Sequence, residues 1–428
     1  NILQKKEGGS RYIMQEKIAV IGGGAAGFLA AITSAKNGAS VTILERKDRV
    51  LKKVLATGNG RCNYTNIYAD TSNYYGKNSE FTVNILRKFT PNDTIVFFEK
   101  LGIIHNVEEK GKVYPLSGQA SSVVDVLRLE AQELGIEILT DFNVNKIIKN
   151  KEDFKIYSDN GASFVSDKVI LTAGGKSYPE LGSNGSGFEL AKTLGHSITD
   201  LKPALVQLKT DKEPIKGLQG IKVNTEISIF YKDEKVGLGD GELLFTDYGI
   251  SGSVIFNLSY LTALYDNLVF SIDFMPNYDY DTLFEMFKER RTNLAHLTME
   301  NFFNGALNKK LGQLISKRSG IEKLSLPIRS LSDNNIKKII DLIKSYKIKV
   351  IETTGFKNAQ VTAGGILTNE VDSNTLESKK ISGLYLAGEI LDIFGDCGGY
   401  NLQWAWASGY LAGMSASEKK WKFNSKGI

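Results

Sequence analysis

The residues of this chain that could do chemistry begin with a glycine cluster followed by an acidic residue. The segment Lys17–Arg46 reads KIAVIGGGAAGFLAAITSAKNGASVTILER. A short apolar strand (Lys17–Ile21) runs into Gly22-x-Gly24-x-x-Gly27, a helix of small residues follows from Ala25 to about Asn37, and a second apolar run (Val41–Leu44) ends at Glu45. Glycines at this spacing let backbone amides approach a pyrophosphate, and the acid can accept hydrogen bonds from a ribose. The segment therefore predicts a βαβ unit that binds a dinucleotide.

A polar loop follows the strand that ends in Glu45. Its sequence, ATGNGRCNYTN, places Gly58 and Gly60 among asparagines, so we expect a loop with special backbone angles rather than a long helix. Lys53 and Arg61 flank these glycines and carry charges that suit a phosphate. An alternative is that Arg61 stabilises its own loop.

Two further apolar strands end in small residues. Val169–Gly175 reads VILTAGG, and small residues there let a flat ligand approach the backbone. The strand before Gly388 ends in Ala-Gly-Glu, and the carboxylate of Glu389 suits the hydroxyls of a ribitol chain. The loop Gly182–Gly195 has the spacing GxxGxG and no strand and acid after it, so it predicts no second dinucleotide fold.

Composition limits the other classes of function. No run of eighteen apolar residues occurs, so we expect no membrane span, and the polar first residues contain no apolar signal core. Two distant cysteines and three histidines predict neither a disulfide framework nor a metal site, and they favour a cytoplasmic location. The segment Asp281–Ile348 contains thirteen Lys/Arg against seven Asp/Glu, which is typical of a solvated helical face, so we expect no nucleic-acid partner.

The periodicity along the chain predicts an α/β protein. A Rossmann-like domain would be assembled from both chain ends, residues 14–200 and 355–428. Alternating stretches (Leu205–Leu208, Val223–Tyr231, Leu243–Thr246, Leu268–Phe274) predict an inserted antiparallel, barrel-like domain of residues 201–278 and 346–354. Residues 279–345 predict a small helical insert.

Six segments in this order and spacing resemble one protein family. They are GGGAAG, ATGNGRCNYTN, TAGGKSYPELGSNGSGFELAKTLGH, GELLFTDYGISG, QVTAGGI, and LAGE followed by GGYNLQWAWASG. The chain is similar to FAD-dependent oxidoreductases of the BaiN and aminoacetone-oxidase type, which are distant relatives of glutathione-reductase-like and fumarate-reductase-like flavoproteins. The resemblance extends from Met14 to the C-terminal region.

The resemblance implies non-covalent FAD and a set of residues that hold it. The glycine loop and Glu45 would bind the adenosine half, the backbone of Val144 the adenine, and the first turn of the last helix the pyrimidine edge of the flavin. The implied cofactor-binding residues are Gly22, Gly24, Ala25, Ala26, Gly27, Glu45, Arg46, Lys53, Thr57, Gly58, Gly60, Arg61, Cys62, Asn63, Val144, Thr172, Ala173, Gly174, Gly175, Gly388, Glu389, Gly399, Tyr400, Asn401 and Leu402.

Tyr178 and Tyr400 are the predicted proton donors, because both lie in glycine-rich segments expected beside the flavin. Simple aromatic packing against the flavin is the alternative for each. Cys62 and Cys397 both fall in cofactor-facing segments, and a redox pair is a further alternative.

The family implies hydride transfer through flavin N5 to or from an activated C=C bond of a small molecule, such as an enone. Alternatives are an amine oxidase that uses oxygen, or a flavoprotein that binds nucleic acid or a protein partner. NAD(P)H would be a transient electron donor. The sequence reads Leu51 where the family usually has glycine, and Thr246-Asp247 where the family usually has Thr-His. If that histidine helps the relatives to bind substrate, a different substrate is expected here. The sequence predicts no oligomeric state.

Overall fold

A computed structural model describes residues 15–418 of the chain. Met14, where the predicted FAD-binding domain begins, and residues 419–428 of its second segment lie outside the described residues. The chain forms two compact units, one made of the residues up to Leu201 with those from Val361 onward, and one made of Lys202–Gln360.

The described strands and helices follow one another along the chain in a mixed α/β order. The strands are β1 (Lys17–Ile21), β2 (Ser40–Leu44), β3 (Thr65–Asn66), β4 (Tyr74–Tyr75), β5 (His105–Val107), β6 (Lys112–Pro115), β7 (Glu137–Leu139), β8 (Val144–Lys149), β9 (Phe154–Ser158), β10 (Ser163–Ser166), β11 (Lys168–Leu171), β12 (Lys202–Ala204), β13 (Leu208–Thr210), β14 (Lys222–Tyr231), β15 (Glu234–Phe245), β16 (Gly249–Ser251), β17 (Val269–Asp273), β18 (Tyr346–Thr353), β19 (Val361–Ala363), β20 (Leu384–Leu386) and β21 (Phe394–Gly395). The helices are α1 (Ala25–Lys36), α2 (Lys52–Ala56), α3 (Thr82–Lys88), α4 (Pro91–Lys100), α5 (Ala120–Glu133), α6 (Ser186–Thr193), α7 (Ser253–Leu258), α8 (Leu261–Leu264), α9 (Tyr280–Asn293), α10 (Lys309–Arg318), α11 (Asp333–Lys344) and α12 (Tyr400–Ser417).

The first unit is built on a parallel sheet of five strands in the order β20-β11-β1-β2-β7. Each neighbouring pair in it is parallel. Strands β1, β11 and β20 are almost entirely buried, which matches their continuous apolar sequences. Their carboxyl ends lead into the glycine-rich segments, so the sheet brings those segments to one edge. The predicted Rossmann-like fold is confirmed.

Helices from opposite ends of the chain pack closely in this unit. A side chain at Gly409 would lie 2.4 Å from the carbonyl oxygen of Ala26, and one at Gly413 would lie 2.5 Å from that of Ala30. Only glycine allows such an approach, so α12 rests directly on the backbone of α1. Helix α12 is thereby fixed against helix α1.

The first unit also contains an antiparallel meander. Strands β10, β9 and β8 form an antiparallel sheet with Gly161 in a left-handed turn between β9 and β10. A second small sheet has the order β3-β6-β5 and carries the end of the polar loop.

The second unit contains a closed barrel in the order β13-β16-β15-β14-β17-β18. The predicted strand Leu205–Leu208 is wrong, because β13 starts only at Leu208 and Leu205 adopts a left-handed backbone angle (φ 52°). Helices α9, α10 and α11 share one apolar core with the barrel strands. The structure places these helices in the same compact unit as the barrel, and a helical insert of residues 279–345 that is separate from the barrel stays a prediction.

Candidate functional site

The glycine loop after β1 is shaped by three glycines that have different roles. Gly22 has φ 108°, and a Cβ atom there would lie 2.6 Å from the oxygen of Thr172. A Cβ atom at Gly27 would lie 2.0 Å from the oxygen of Gly22. At Gly24, by contrast, a Cβ atom would meet no atom of the described residues within 4 Å. Gly22 and Gly27 are thus needed for the fold, whereas Gly24 keeps a space open in front of helix α1.

The N-terminus of α1 faces this space without a side-chain cap from any described residue. Its first turn also contains no acidic residue. The first N–H groups of a helix have no partner within the helix and carry a partial positive charge. An open, uncapped helix start preceded by glycines is suited to binding a pyrophosphate.

Glu45 lies buried at the end of β2, where its carboxylate accepts two backbone hydrogen bonds. The amide of Gly23 donates to Oε2 (2.7 Å), and the amide of Lys47 donates to Oε1 (2.8 Å). Burial raises the pKa of Glu45, although these two amides oppose the rise. The carboxylate is therefore fixed beside the glycine loop and retains lone pairs for a ribose diol.

The start of β8 is tied to the same strand end. The amide of Phe142 donates to the carbonyl oxygen of Glu45 (2.9 Å), and Val144 follows as the buried first residue of β8. The guanidinium of Arg46 donates to the carbonyl oxygen of Gly182 (3.2 Å). Val144 and Arg46 therefore both belong to the surroundings of Glu45.

The polar loop has the predicted special geometry. Gly58, Asn59, Gly60 and Cys62 all have positive φ values between 55° and 81°. The side chain of Asn63 donates to the carbonyl oxygens of Thr65 (2.9 Å) and Val113 (3.0 Å), which holds the loop against β3 and β6. Thr57 closes the preceding turn by donating to the carbonyl oxygen of Val54 (2.6 Å).

Arg61 is engaged within the protein. Its guanidinium pairs with the carboxylate of Glu108 and lies 4.2 Å from the ring centre of Tyr114. The structure thus gives Arg61 a role in bracing the loop against the small sheet.

Lys53 and Glu389 form the charged centre of the site. The Lys53 Nζ atom lies 2.7 Å from Oε2 of Glu389 and 2.9 Å from the hydroxyl of Ser177. Oε1 of Glu389 accepts from the hydroxyl of Ser177 (2.8 Å) and from the amide of Thr362 (2.9 Å). A Cβ atom at Gly175 would lie 2.7 Å from the same oxygen. These contacts join four segments that are far apart in sequence.

The segments that follow β11 and β20 contact the glycine loop and the start of α1. The hydroxyl of Thr172 donates to the carbonyl oxygen of Gly22 (2.9 Å), so Thr172–Gly175 leaves the sheet directly beside the loop. A Cβ atom at Gly388 would lie 2.8 Å from that of Ala26. Thr172–Gly175 and Gly388 therefore line the same edge as Gly22–Gly27.

The N-terminus of α12 provides a second open helix start. Gly399 has φ 99°, and a Cβ atom there would lie 2.4 Å from the carbonyl oxygen of Thr65. The side chain of Asn401 accepts from the amide of Gly395 (2.7 Å) and donates to its carbonyl oxygen (2.8 Å). No described side chain caps α12, and its first turn has no acidic residue. The amides of this turn are available to an electron-rich ligand edge.

The two predicted proton donors occupy different surroundings. Tyr178 is half-buried and has a left-handed backbone angle (φ 54°), which is unusual for a residue other than glycine. It also directly precedes Pro179, which favours an extended backbone at the preceding residue. That conformation is disfavoured on both counts, and such strain is concentrated at functional sites. Tyr400 packs edge-on against Tyr74, whose hydroxyl donates to the Tyr400 carbonyl oxygen (2.9 Å). Burial raises the pKa of both Tyr178 and Tyr400, so each phenol is protonated at neutral pH.

Cys62 and Cys397 are not joined by a disulfide. Cys62 is fully buried, and burial raises the pKa of its thiol to about 12. A thiol with such a pKa is a poor nucleophile at neutral pH, so the structure gives no support to the redox-pair alternative.

Sequence reasoning missed several residues that position the predicted ones. Ser177 and Thr362 lie inside quoted motifs, and their place beside strand ends is the signal that was available. Thr65 and Gln403 also lie inside quoted motifs, but nothing in those motifs indicated that they bond to each other, because that contact joins distant segments. Thr94, the other partner of Gln403, lies outside every quoted motif.

These features fit FAD. Two uncapped helix N-termini, the open space at Gly24 and the fixed carboxylate of Glu45 match a pyrophosphate, a ribose and an electron-rich ring edge. Fold and site together define a Rossmann-type dinucleotide-binding flavoprotein.

Comparisons with known proteins agree with this class. The HI0933-like protein Rossmann domain matches residues 16–415. The chain is 40% identical over 409 residues to the 3-dehydro-bile acid delta(4,6)-reductase of Clostridium scindens, covering 94% of this chain and 99% of that protein. It is 30% identical to the ribosomal RNA dihydrouridine synthase of Haemophilus influenzae (94% and 98% covered), and 29% identical to that of Escherichia coli (91% and 95% covered).

The chain belongs to the HI0933-like family, and it is a FAD-dependent oxidoreductase. The predicted family, fold class and cofactor FAD are confirmed. Among residues 15–418, no helix has both the length and the hydrophobicity that a membrane crossing requires.

Proposed function

We propose that this enzyme reduces a C=C bond conjugated to a carbonyl group in a small molecule. The observation that carries the proposal is the 40% identity, along nearly the full length of both chains, to a delta(4,6)-reductase that acts on a 3-dehydro-bile acid. The other two relatives are dihydrouridine synthases, and their named product has a saturated bond next to a carbonyl. Saturation of an activated C=C bond is thus the chemistry shared by all three names.

We assign the FAD contacts to the segments that meet at the edge of the parallel sheet. The adenosine half would be held by Gly22–Gly27, Glu45 and the backbone of Val144. The middle of the cofactor would lie along Thr172–Gly175, with support from the fixed Lys53–Glu389 pair. The remaining contacts would come from the polar loop Thr57–Asn63, from Arg46 and Gly388, and from the helix start Gly399–Leu402.

FAD supplies two-electron redox chemistry at flavin N5 when it is bound. The protein must then orient the substrate, exclude water and deliver one proton to the carbon of the C=C bond that does not receive the hydride. Tyr178 and Tyr400 are the proposed donors, because both lie in glycine-rich segments that we place beside the flavin, and a tyrosine phenol carries its proton at neutral pH. Burial raises the pKa of each phenol further, so donation depends on the basicity of the carbon that receives the proton. The strained backbone at Tyr178 supports its assignment, since the fold maintains that conformation at a cost of about 1–3 kcal/mol.

The electron donor would be NAD(P)H that docks transiently. The sequence contains one complete dinucleotide fingerprint, which FAD occupies in this proposal. A nicotinamide donor would therefore have to share the substrate side of the flavin.

Reduction of uridine in RNA is the second candidate, and the names of two relatives favour it. The charge surplus of Asp281–Ile348 is the feature that would serve it. Several cations of that segment are already engaged: Arg291 pairs with Asp333, Lys309 with Glu300, and Lys344 with Asp273. A cation that is already paired with a carboxylate displaces fewer counterions from a nucleic acid than a free cation does. We therefore prefer the small-molecule substrate.

An anaerobic absorbance experiment tests the proposal. The purified protein should show a flavin spectrum that NADH or NADPH bleaches, and an added enone should restore the colour with saturation of its C=C bond. A colour restored by enones and unchanged by uridine-containing RNA supports the small-molecule assignment. Restoration by RNA alone would establish the second candidate. Bleaching by amines with rapid return in air would instead identify an amine oxidase.

A further inference from the structure

A buried polar network lies directly behind the first turn of α12. The amide side chain of Gln403 is completely shielded from solvent, and its Oε1 accepts hydrogen bonds from the hydroxyls of Thr65 (2.7 Å) and Thr94 (2.7 Å). Its Nε2 donates to the carbonyl oxygen of Phe89 (3.0 Å). The side chain of Gln403 is thus bonded to β3, to α4 and to Phe89, the residue that follows α3.

This network is connected to the helix start through the backbone. The amide of Gln403 donates to the carbonyl oxygen of Gly399 (3.0 Å), which closes the first turn. Gly399 in turn lies against the carbonyl of Thr65, the same residue whose hydroxyl binds Gln403. Both the position and the direction of this turn therefore depend on the side-chain amide of Gln403.

No small adjustment would compensate for the loss of the Gln403 side-chain oxygen as an acceptor. Thr65 and Thr94 are fully buried, so loss of their shared acceptor would leave two hydroxyl groups without partners in an apolar surrounding. The helix start would move until those hydroxyls found other acceptors. Interactions between a helix end and a charge fall off within one turn, so a small displacement changes them markedly.

We infer that Gln403 is a positioning residue that sets the redox equilibrium of bound FAD. It fixes the amides of Tyr400–Leu402 where they stabilise the negative charge that the reduced flavin carries at its pyrimidine edge. The inference rests on the proposed placement of Gly399–Leu402 at the flavin, and it is independent of which substrate the enzyme reduces.

The test compares variants of Thr94, which lies on α4, outside the segments assigned to the cofactor, and whose hydroxyl donates to Gln403. Thr94→Val removes the hydroxyl at nearly constant volume, whereas Thr94→Ser keeps it. The FAD reduction potential of each holoprotein is measured by equilibration with a redox dye. We expect Thr94→Val to disfavour the reduced form about tenfold, a shift of about 30 mV for a two-electron couple. Thr94→Ser should retain the parent potential.

Ser417→Ala provides the matched control. Ser417 is a buried hydroxyl at the far end of α12, where it donates to the carbonyl oxygen of Gly413 (2.7 Å). Its loss should lower the melting temperature and leave the potential unchanged. Gln403→Met repeats the test at the centre of the network if Thr94→Val does not fold.

A folded Thr94→Val or Gln403→Met protein with the parent potential would overturn the inference, whatever its melting temperature. A shifted potential in an enzyme that reduces no enone would support the inference and contradict the proposed substrate class. The two failures are therefore distinguishable.

Discussion

Replacement of Gly24 by alanine separates cofactor binding from folding. Gly24 has extended backbone angles (φ −90°, ψ −167°) that any residue can adopt. A Cβ atom there would meet no described atom within 4 Å. Loss of glycine restricts the unfolded chain, so the apoprotein should be unchanged or more stable by about 0.4–1 kcal/mol.

FAD affinity should fall in the same variant. The added methyl group would occupy the space in which a pyrophosphate approaches the amides of α1. A hydrogen bond to a charged group is worth about 1.5–3 kcal/mol, so losing one such bond costs about 1.5–3 kcal/mol of binding free energy. The dissociation constant should rise about 10- to 140-fold.

Gly27→Ala is the contrasting variant. Its Cβ atom would lie 2.0 Å from the carbonyl oxygen of Gly22, so α1 must move away from β1. We expect a lower melting temperature for the apoprotein together with weaker FAD binding. Thermal unfolding of both apoproteins and titration with FAD, followed by flavin fluorescence, give the two quantities separately. A Gly24→Ala protein that binds FAD as tightly as the parent would refute the assignment of the glycine loop to the pyrophosphate.

Three further perturbations test other parts of the site and fold. Lys53→Met should weaken FAD binding and lower stability by about 1–3 kcal/mol, because it leaves the half-buried Glu389 without its cation, and unchanged values in both assays would contradict that role. Replacing the true proton donor, by Tyr178→Phe or Tyr400→Phe, should lower the rate of enone reduction about 100-fold at unchanged FAD content, as measured by anaerobic stopped-flow absorbance. Burial pushes the pKa of Glu370 up, but hydrogen bonds from Lys380, Ser197 and His196 outweigh it and hold the pKa at about 2. A depressed pKa contributes stability at a pH above the ordinary value of 4.5, and this stability is lost as the pH falls towards 2. Glu370→Gln should therefore flatten the acid limb of stability measured by urea unfolding, by about 1 kcal/mol once solvent screening of the ion pair with Lys380 is allowed for.

Local sequence signals were sufficient for the first βαβ unit. The predicted strand Lys17–Ile21 has the observed bounds, and the helix predicted from Ala25 to about Asn37 ends at Lys36. The special backbone angles of Gly58 and Gly60 were also predicted. Each of these features depends on residues adjacent in sequence, such as a glycine where φ must be positive.

The partners of the charged side chains were not predictable in the same way. Lys53 and Glu389 were expected to face a cofactor, but their direct pairing depends on the packing that brings α2 to the segment after β20. Two roles were expected for Arg61, contact with a phosphate or stabilisation of its own loop. Its pairing with Glu108, which lies between β5 and β6, fits the second role, and this partner could not be predicted from neighbouring residues.

The sequence by itself determined that this protein has a Rossmann-type domain for a dinucleotide, because turn angles, helix starts and strand ends depend on neighbouring residues. FAD in particular was implied by the resemblance to a flavoprotein family. The tertiary structure alone decided how the two ends of the chain meet. Gly409 and Gly413 let α12 rest on α1, and Gln403 bonds to Thr65 and Thr94. Such contacts join residues more than 300 positions apart, and they form only when the packed core has fixed the distance between the elements.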